Sequence, residues 1–142
     1  THPVVAGKPA RALFDESVSR TGARHPIVVG DRLDTDIAGA RSADIPAMAV
    51  LTGVTDLLAL ATARPSQRPD LVAADLRALN QAHPAARDGR CGNAVAGYDD
   101  SSGRLVVRST GRPDETLAAL VTAGWKAVDD GLEVRGVDRW QT

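Results

Sequence analysis

Cysteine is nearly absent: Cys91 stands alone among 142 residues. One thiol excludes an internal disulfide and a thiolate zinc cluster, and it points to a reduced compartment. No apolar run approaches the roughly 18 residues that a membrane span needs. The charged-then-apolar start of a signal peptide is missing as well. Basic residues gather nowhere, and 17 Lys and Arg against 18 Asp and Glu leave a net charge of −1. Nucleic acid is therefore not an expected partner. Histidine is scarce: His2 lies near a terminus, His25 precedes a proline, and His83 falls in an unpatterned stretch, so no spacing makes a metal pair. These absences lead us to expect a cytoplasmic protein with no membrane or nucleic-acid partner. The chain opens on Thr1 and enters VVAGKPA almost at once, as a piece cut from something longer would.

What is present is ample apolar content and a clear alternation. In KPARALFDESVSRTG, Pro9 suits a first helical turn, Ala10, Leu13, Phe14 and Val18 fall at helical spacing, and Gly22 closes the segment. PIVVG and PAMAVLTG read as strands buried on both faces. DTDIAGARSA can open a helix, with Asp34 or Thr35 as cap and Asp36 in the positive first turn. TDLLALATA reads as a capped helix, and PDLVAADLRALN gives a short strand and a helix from Asp75. Strands alternating with helices predict a parallel sheet with helices on both faces.

The composition shifts at HPAARDGRCGN, residues 83–92 and the following Asn93, which carries no periodicity and reads as a linker. Beyond it, residues 93–142 read as a small α+β module: a hairpin turning at Asp99 to Gly103, a helix with Pro113 near its start and Gly124 after its end, then two short strands in WKAV and LEVRGV. Trp125 and Trp140 are read as packing residues. The module is too small to stand confidently alone and is expected to pack against residues 1–82.

The chemistry concentrates in PIVVGDRLDTDIAGA, where a buried strand runs straight into Asp31, Asp34 and Asp36. Such a cluster is either a solvated loop that caps a helix or a metal site. Asp31 follows its strand directly, where ligands of open parallel sheets bind, and a carboxylate there can hold a hard cation such as Mg²⁺. Asp36 can point back toward the same spot from the helix start. Asp34 reads as a cap, and Arg32 faces either substrate or solvent. Lys8 is electrostatically misplaced at a helix N-terminus, which suggests that it points at an anion, and a phosphate fits.

GKP before a helix, VVGDRLDTDIAGA and AVLTGVT together resemble the haloacid-dehalogenase-like (HAD) phosphatases. The likeness is strongest to a nitrophenyl-phosphatase-like subgroup that includes phosphoglycolate, pyridoxal phosphate and glycerol 3-phosphate phosphatases. It covers residues 4 to about 80 and implies the C-terminal half of a HAD-like Rossmannoid sheet. It also implies that Asp31 binds Mg²⁺, that Asp36 supports metal and lysine, and that Lys8 steadies the phosphate. The reaction it implies is phosphoryl transfer to an aspartate followed by attack of water, on a small phosphorylated metabolite.

The family places its nucleophile in a D-x-D-x-[TV] motif at its first strand, and only seven residues precede Lys8. Asp34 and Asp36 form a D-x-D, but they stand well past their strand and belong to the other motif. The expectation is a phosphatase whose nucleophile and substrate-selecting cap lie in an N-terminal part, possibly a second chain, with this chain inactive alone. The alternative is a non-catalytic binding or interaction module that keeps a relic half-site. Residues after 83 depart from the family pattern and loosely resemble an acetyltransferase-type fold, without the glycine-rich loop that holds acetyl-coenzyme A.

Overall fold

The computed structural model describes residues 7–139. His2 and Trp140 lie outside them. Three short strands, β1 (Val28–Gly30), β2 (Ala47–Val50) and β3 (Leu71–Ala73), pair in parallel in the order β1-β2-β3. Val29 stands opposite Met48, and Ala49 opposite Val72. Every residue of β2 is buried, whereas β1 is only half-buried throughout. The difference follows from position: β2 has a neighbour on each side, while β1 is an edge strand among the described residues.

Helix α1 (Ala12–Thr21) anchors through Phe14, which packs with Ala43 and Ile45. It ends as expected at Gly22, whose φ of 62° lets its N–H reach the Val18 carbonyl. A π-helical turn, Leu33–Ile37, leads into the short α2 (Ala38–Ser42). Helix α3 (Leu57–Ala61) is capped by Asp56, which accepts the Ala59 N–H at 2.7 Å. The helix expected from Asp75 is a 3₁₀ turn, Leu76–Asn80, that Asp75 does cap.

The second sheet holds β4 (Ala86–Arg87), β5 (Arg90–Cys91), β6 (Ala94–Asp99), β7 (Arg104–Ser109) and β8 (Gly136–Arg139), in chain order. All neighbours are antiparallel except β7 and β8, which are joined in parallel through α4 (Pro113–Asp129). Two features differ from expectation. The stretch read as a linker contains β4 and β5, joined at Asp88 and Gly89, both with positive φ as a type I′ turn requires. WKAV is not a strand, because α4 runs on through Gly124 to Asp129. Gly124 is a packing glycine rather than a stop: a methyl group there would run into the backbone oxygen of Ala61 on α3.

Helix α4 is apolar on two sides, and each side has a sheet. Leu117 and Val121 pack with Ile37, Ala49, Leu60 and Val72 of the parallel half. Ala119, Leu120 and Ala123 pack with Ala96, Leu105 and Val107 of the second sheet. Arg68 fastens the far end: it lies 5.5 Å over the Trp125 ring and donates twice to Asp129, at 2.7 Å each. Trp125 itself donates to the Leu60 carbonyl at 2.8 Å.

Candidate active site

The site forms where β1 ends. Gly30, the last residue of that strand, has no side chain because Asp36 fills the space: a methyl group would run into the Asp36 side chain. The π-turn brings Asp36 back to that spot. Both the Asp36 and Ile37 N–H groups donate to the Arg32 carbonyl, at 3.0 and 3.2 Å, which widens the turn by a residue. Asp36 is 7% exposed and fully engaged. Its Oδ1 accepts Lys8 Nζ at 2.7 Å, and its Oδ2 accepts the Arg32 N–H at 3.2 Å. The anion that Lys8 faces is therefore the Asp36 carboxylate. Half of the lysine side chain remains exposed, so its ammonium retains a solvent-facing side.

Asp31 sits immediately beyond Gly30, at the carboxyl end of β1. Its Oδ2 accepts the Val54 N–H at 3.1 Å from the loop that follows β2. Gly53 in that loop lies so close that a methyl group would meet the same oxygen. Asp31 Oδ1 takes no donor among the described residues. One carboxylate oxygen is thus fixed by a main-chain N–H and the other is left available, which suits a hard cation. Among the described residues no three His, Cys, Asp or Glu side chains converge as a metal cage.

Lys8 and Asp36 are therefore paired beside Gly30, and Asp31 follows it in the chain with its carboxylate against Val54 and Gly53. Asp34 is not a helix cap: it pairs with Arg32, whose Nε and Nη2 reach it at 3.2 and 3.0 Å. The bond from Arg32 holds the Asp34 carboxyl below the usual range and raises the guanidinium, with smaller contributions from Asp31 and Asp36. The Arg32 side chain is paired with Asp34 and half exposed. Sequence reasoning passed over Gly53 and the Val54 N–H, although the LTG at the end of β2 was the signal available for them. Cys91 lies buried in β5 rather than in a flexible linker, and burial pushes its thiol up. His83 is half-buried, its Nε2 held 2.8 Å from the Ala78 carbonyl.

Ligands of open parallel sheets bind at the carboxyl ends of the strands, where this chain sets its lysine–carboxylate pair, and sequence comparison gives the family. Residues 5–79, just over half of the chain, match the family model described as HAD-hydrolase-like, and the chain belongs to that family. It is 52% identical over 79 residues to D-glycerol 3-phosphate phosphatase of Mycobacterium tuberculosis, covering 56% of this chain but 22% of that protein. It is 42% identical over 55 residues to phosphoglycolate phosphatase 2 of Arabidopsis thaliana, covering 37% of this chain and 18% of that one. Among solved structures, a glycerol phosphate phosphatase from M. tuberculosis in complex with magnesium matches with a TM-score of 0.78 and 34% identity. That match covers 99% of this chain and 41% of the other. A 4-nitrophenylphosphatase from Thermotoga maritima matches at 0.52 and 33% identity over 58% of this chain and 31% of that chain. The chain thus spans about a fifth of the first curated relative's length. The family model stops at residue 79, whereas the mycobacterial match covers 99% of this chain and so takes in β4–β8 and α4 as well.

Proposed function

We propose that this chain forms part of a Mg²⁺-dependent phosphatase of small phosphate monoesters, with glycerol 3-phosphate and phosphoglycolate the first substrates to try. The observation that carries the reading is the arrangement beside Gly30: Asp31 with one oxygen fixed by the Val54 N–H, and Asp36 buried under Lys8. In this reading Asp31 would hold Mg²⁺, which supplies charge neutralisation at the phosphoryl group. Asp36 fixes the Lys8 ammonium, whose exposed side meets the phosphate. The nucleophilic aspartate, which would form an aspartyl-phosphate that water then opens, comes from a D-x-D segment outside this chain. The edge of β1, half-buried and without an outer neighbour among the described residues, is a suitable place for its strand to add. A cap carried by the same N-terminal part would choose the substrate.

The test joins this chain to an N-terminal part carrying the D-x-D motif and measures phosphate release with Mg²⁺. Asp31→Asn and Lys8→Ala should each lower kcat/KM at least about a hundredfold, on the scale of losing a residue that stabilises transition-state charge. Full rate in both variants would overturn the assignment. This chain alone should release no phosphate.

A further inference from the structure

The second sheet has one face on α4 and one away from it. Cys91, Ala94, Ala96, Leu105 and Val107 point inward to the core, so the residues between them point outward. Registry places a single row across four strands: Arg87 opposite Arg90, Arg90 opposite Val95, and Val95 opposite Arg108. The next outward pair is Gly97 opposite Val106. A shallow groove of about 400 Å³ runs over this patch.

Three features of the patch are not demanded by the fold. Arg87 and Arg90 face each other directly beside the tight turn, an arrangement of like charges that weakens a strand pair. Neither has a hydrogen-bonding or ion-pair partner among the described residues. Gly97 sits inside the longest hairpin at an ordinary negative φ, and nothing lies within 4 Å of where its side chain would be. A glycine in a strand interior that neither turn nor neighbour requires marks a place where another molecule approaches the backbone closely. Val95 is 44% exposed at the centre of this arrangement. On this face Asp138 pairs with Arg104 at 2.6 Å.

We propose that this face docks an acidic protein segment, one that lays an apolar side chain over Gly97 and sets carboxylates against Arg87 and Arg90. An apolar centre rimmed by arginine is the anatomy of a protein interface. Nucleic acid fits less well, since the chain as a whole carries a net charge of −1 and the patch centre is aliphatic. A second copy fits less well too, because a two-fold contact would press one positive face on another. The patch is separate from the edge at β1, because it lies on the far side of the second sheet from α4 and the parallel half.

The test uses the whole 142-residue chain and a fluorescein-labelled peptide of alternating Glu and Val, with a Lys–Val peptide as its counterpart. Fluorescence anisotropy should show binding of the acidic peptide only, weakening as salt is raised. Arg87→Ala with Arg90→Ala should lower affinity at least about tenfold. Gly97→Leu, which fills open space, should block binding while leaving the melting temperature unchanged. Amide shifts on binding should centre on Val95, Gly97 and Val106. Equal binding of the two peptides, unchanged affinity in the variants, or shifts centred elsewhere would overturn the proposal. Preference for a single-stranded oligonucleotide or phosphatidylserine vesicles over the acidic peptide would overturn it as well.

Discussion

At the scale of single residues, the site is shaped by glycines as much as by charges. Gly30 makes room for Asp36, and Gly53 makes room for Asp31. Gly30→Ala should therefore displace the Asp36 carboxylate and loosen Lys8, at about 1–3 kcal/mol of stability, as overpacking generally costs. Chemical denaturation would measure it, and an unchanged midpoint would mean that the turn yields freely. A second residue-level expectation concerns acid. The Asp75 carboxyl is held down to about 2, first by the Arg77 side chain and then by the Arg77 N–H. Its folded value lies below its unfolded one, so its contribution is present above about pH 4 and fades as pH falls toward 2. A carboxyl titration followed by NMR should show Asp75 rising toward the ordinary range in Arg77→Ala while staying below it, because the main-chain N–H of residue 77 still donates.

At the scale of elements, Gly124 separates two opposing effects. In an open helix Gly→Ala gains about 1 kcal/mol from propensity. On α4 the added methyl would strike the Ala61 backbone, so Gly124→Ala should instead destabilise, by about 1–3 kcal/mol. A higher melting temperature in the variant would show that α3 can move aside. The same glycine shows where the sequence could be read and where it could not. β1, β2, α1 and the β6–β7 hairpin follow from periodicity and turn residues, which are local. Whether Gly124 ends a helix or packs against another one depends on Ala61, sixty-odd positions away in the chain, and no local pattern reports that. β4 and β5 escaped for a related reason: two-residue strands have no period, and only the neighbouring β6 makes them strands. At the site, motif spacing pointed to Lys8, Asp31 and Asp36; the fold pairs Lys8 with Asp36 and sets the Asp31 carboxylate against the loop after β2. The pairing of Asp34 with Arg32 and the donor at Val54 were invisible, since both are set by the π-turn and the loop after β2.

At the scale of the molecule, Arg68 joins the parallel half to the C-terminal end of α4. Its guanidinium is 13% exposed and meets Asp129, Trp125 and the Ala63 carbonyl at once. Arg68→Ala should cost about 2–3 kcal/mol, and Lys should restore little, since it offers neither the planar fork nor the stacking face. Calorimetry should show one endotherm in the wild type, moved lower but still single in the variant. Two separated endotherms would show that each sheet stands by itself. The consequence reaches past stability to modularity. Among the described residues after 83, α4 is the only helix, and its other face is the floor of the parallel half. The second sheet therefore has no private core to take elsewhere, and the two halves must be inherited, and lost, as one.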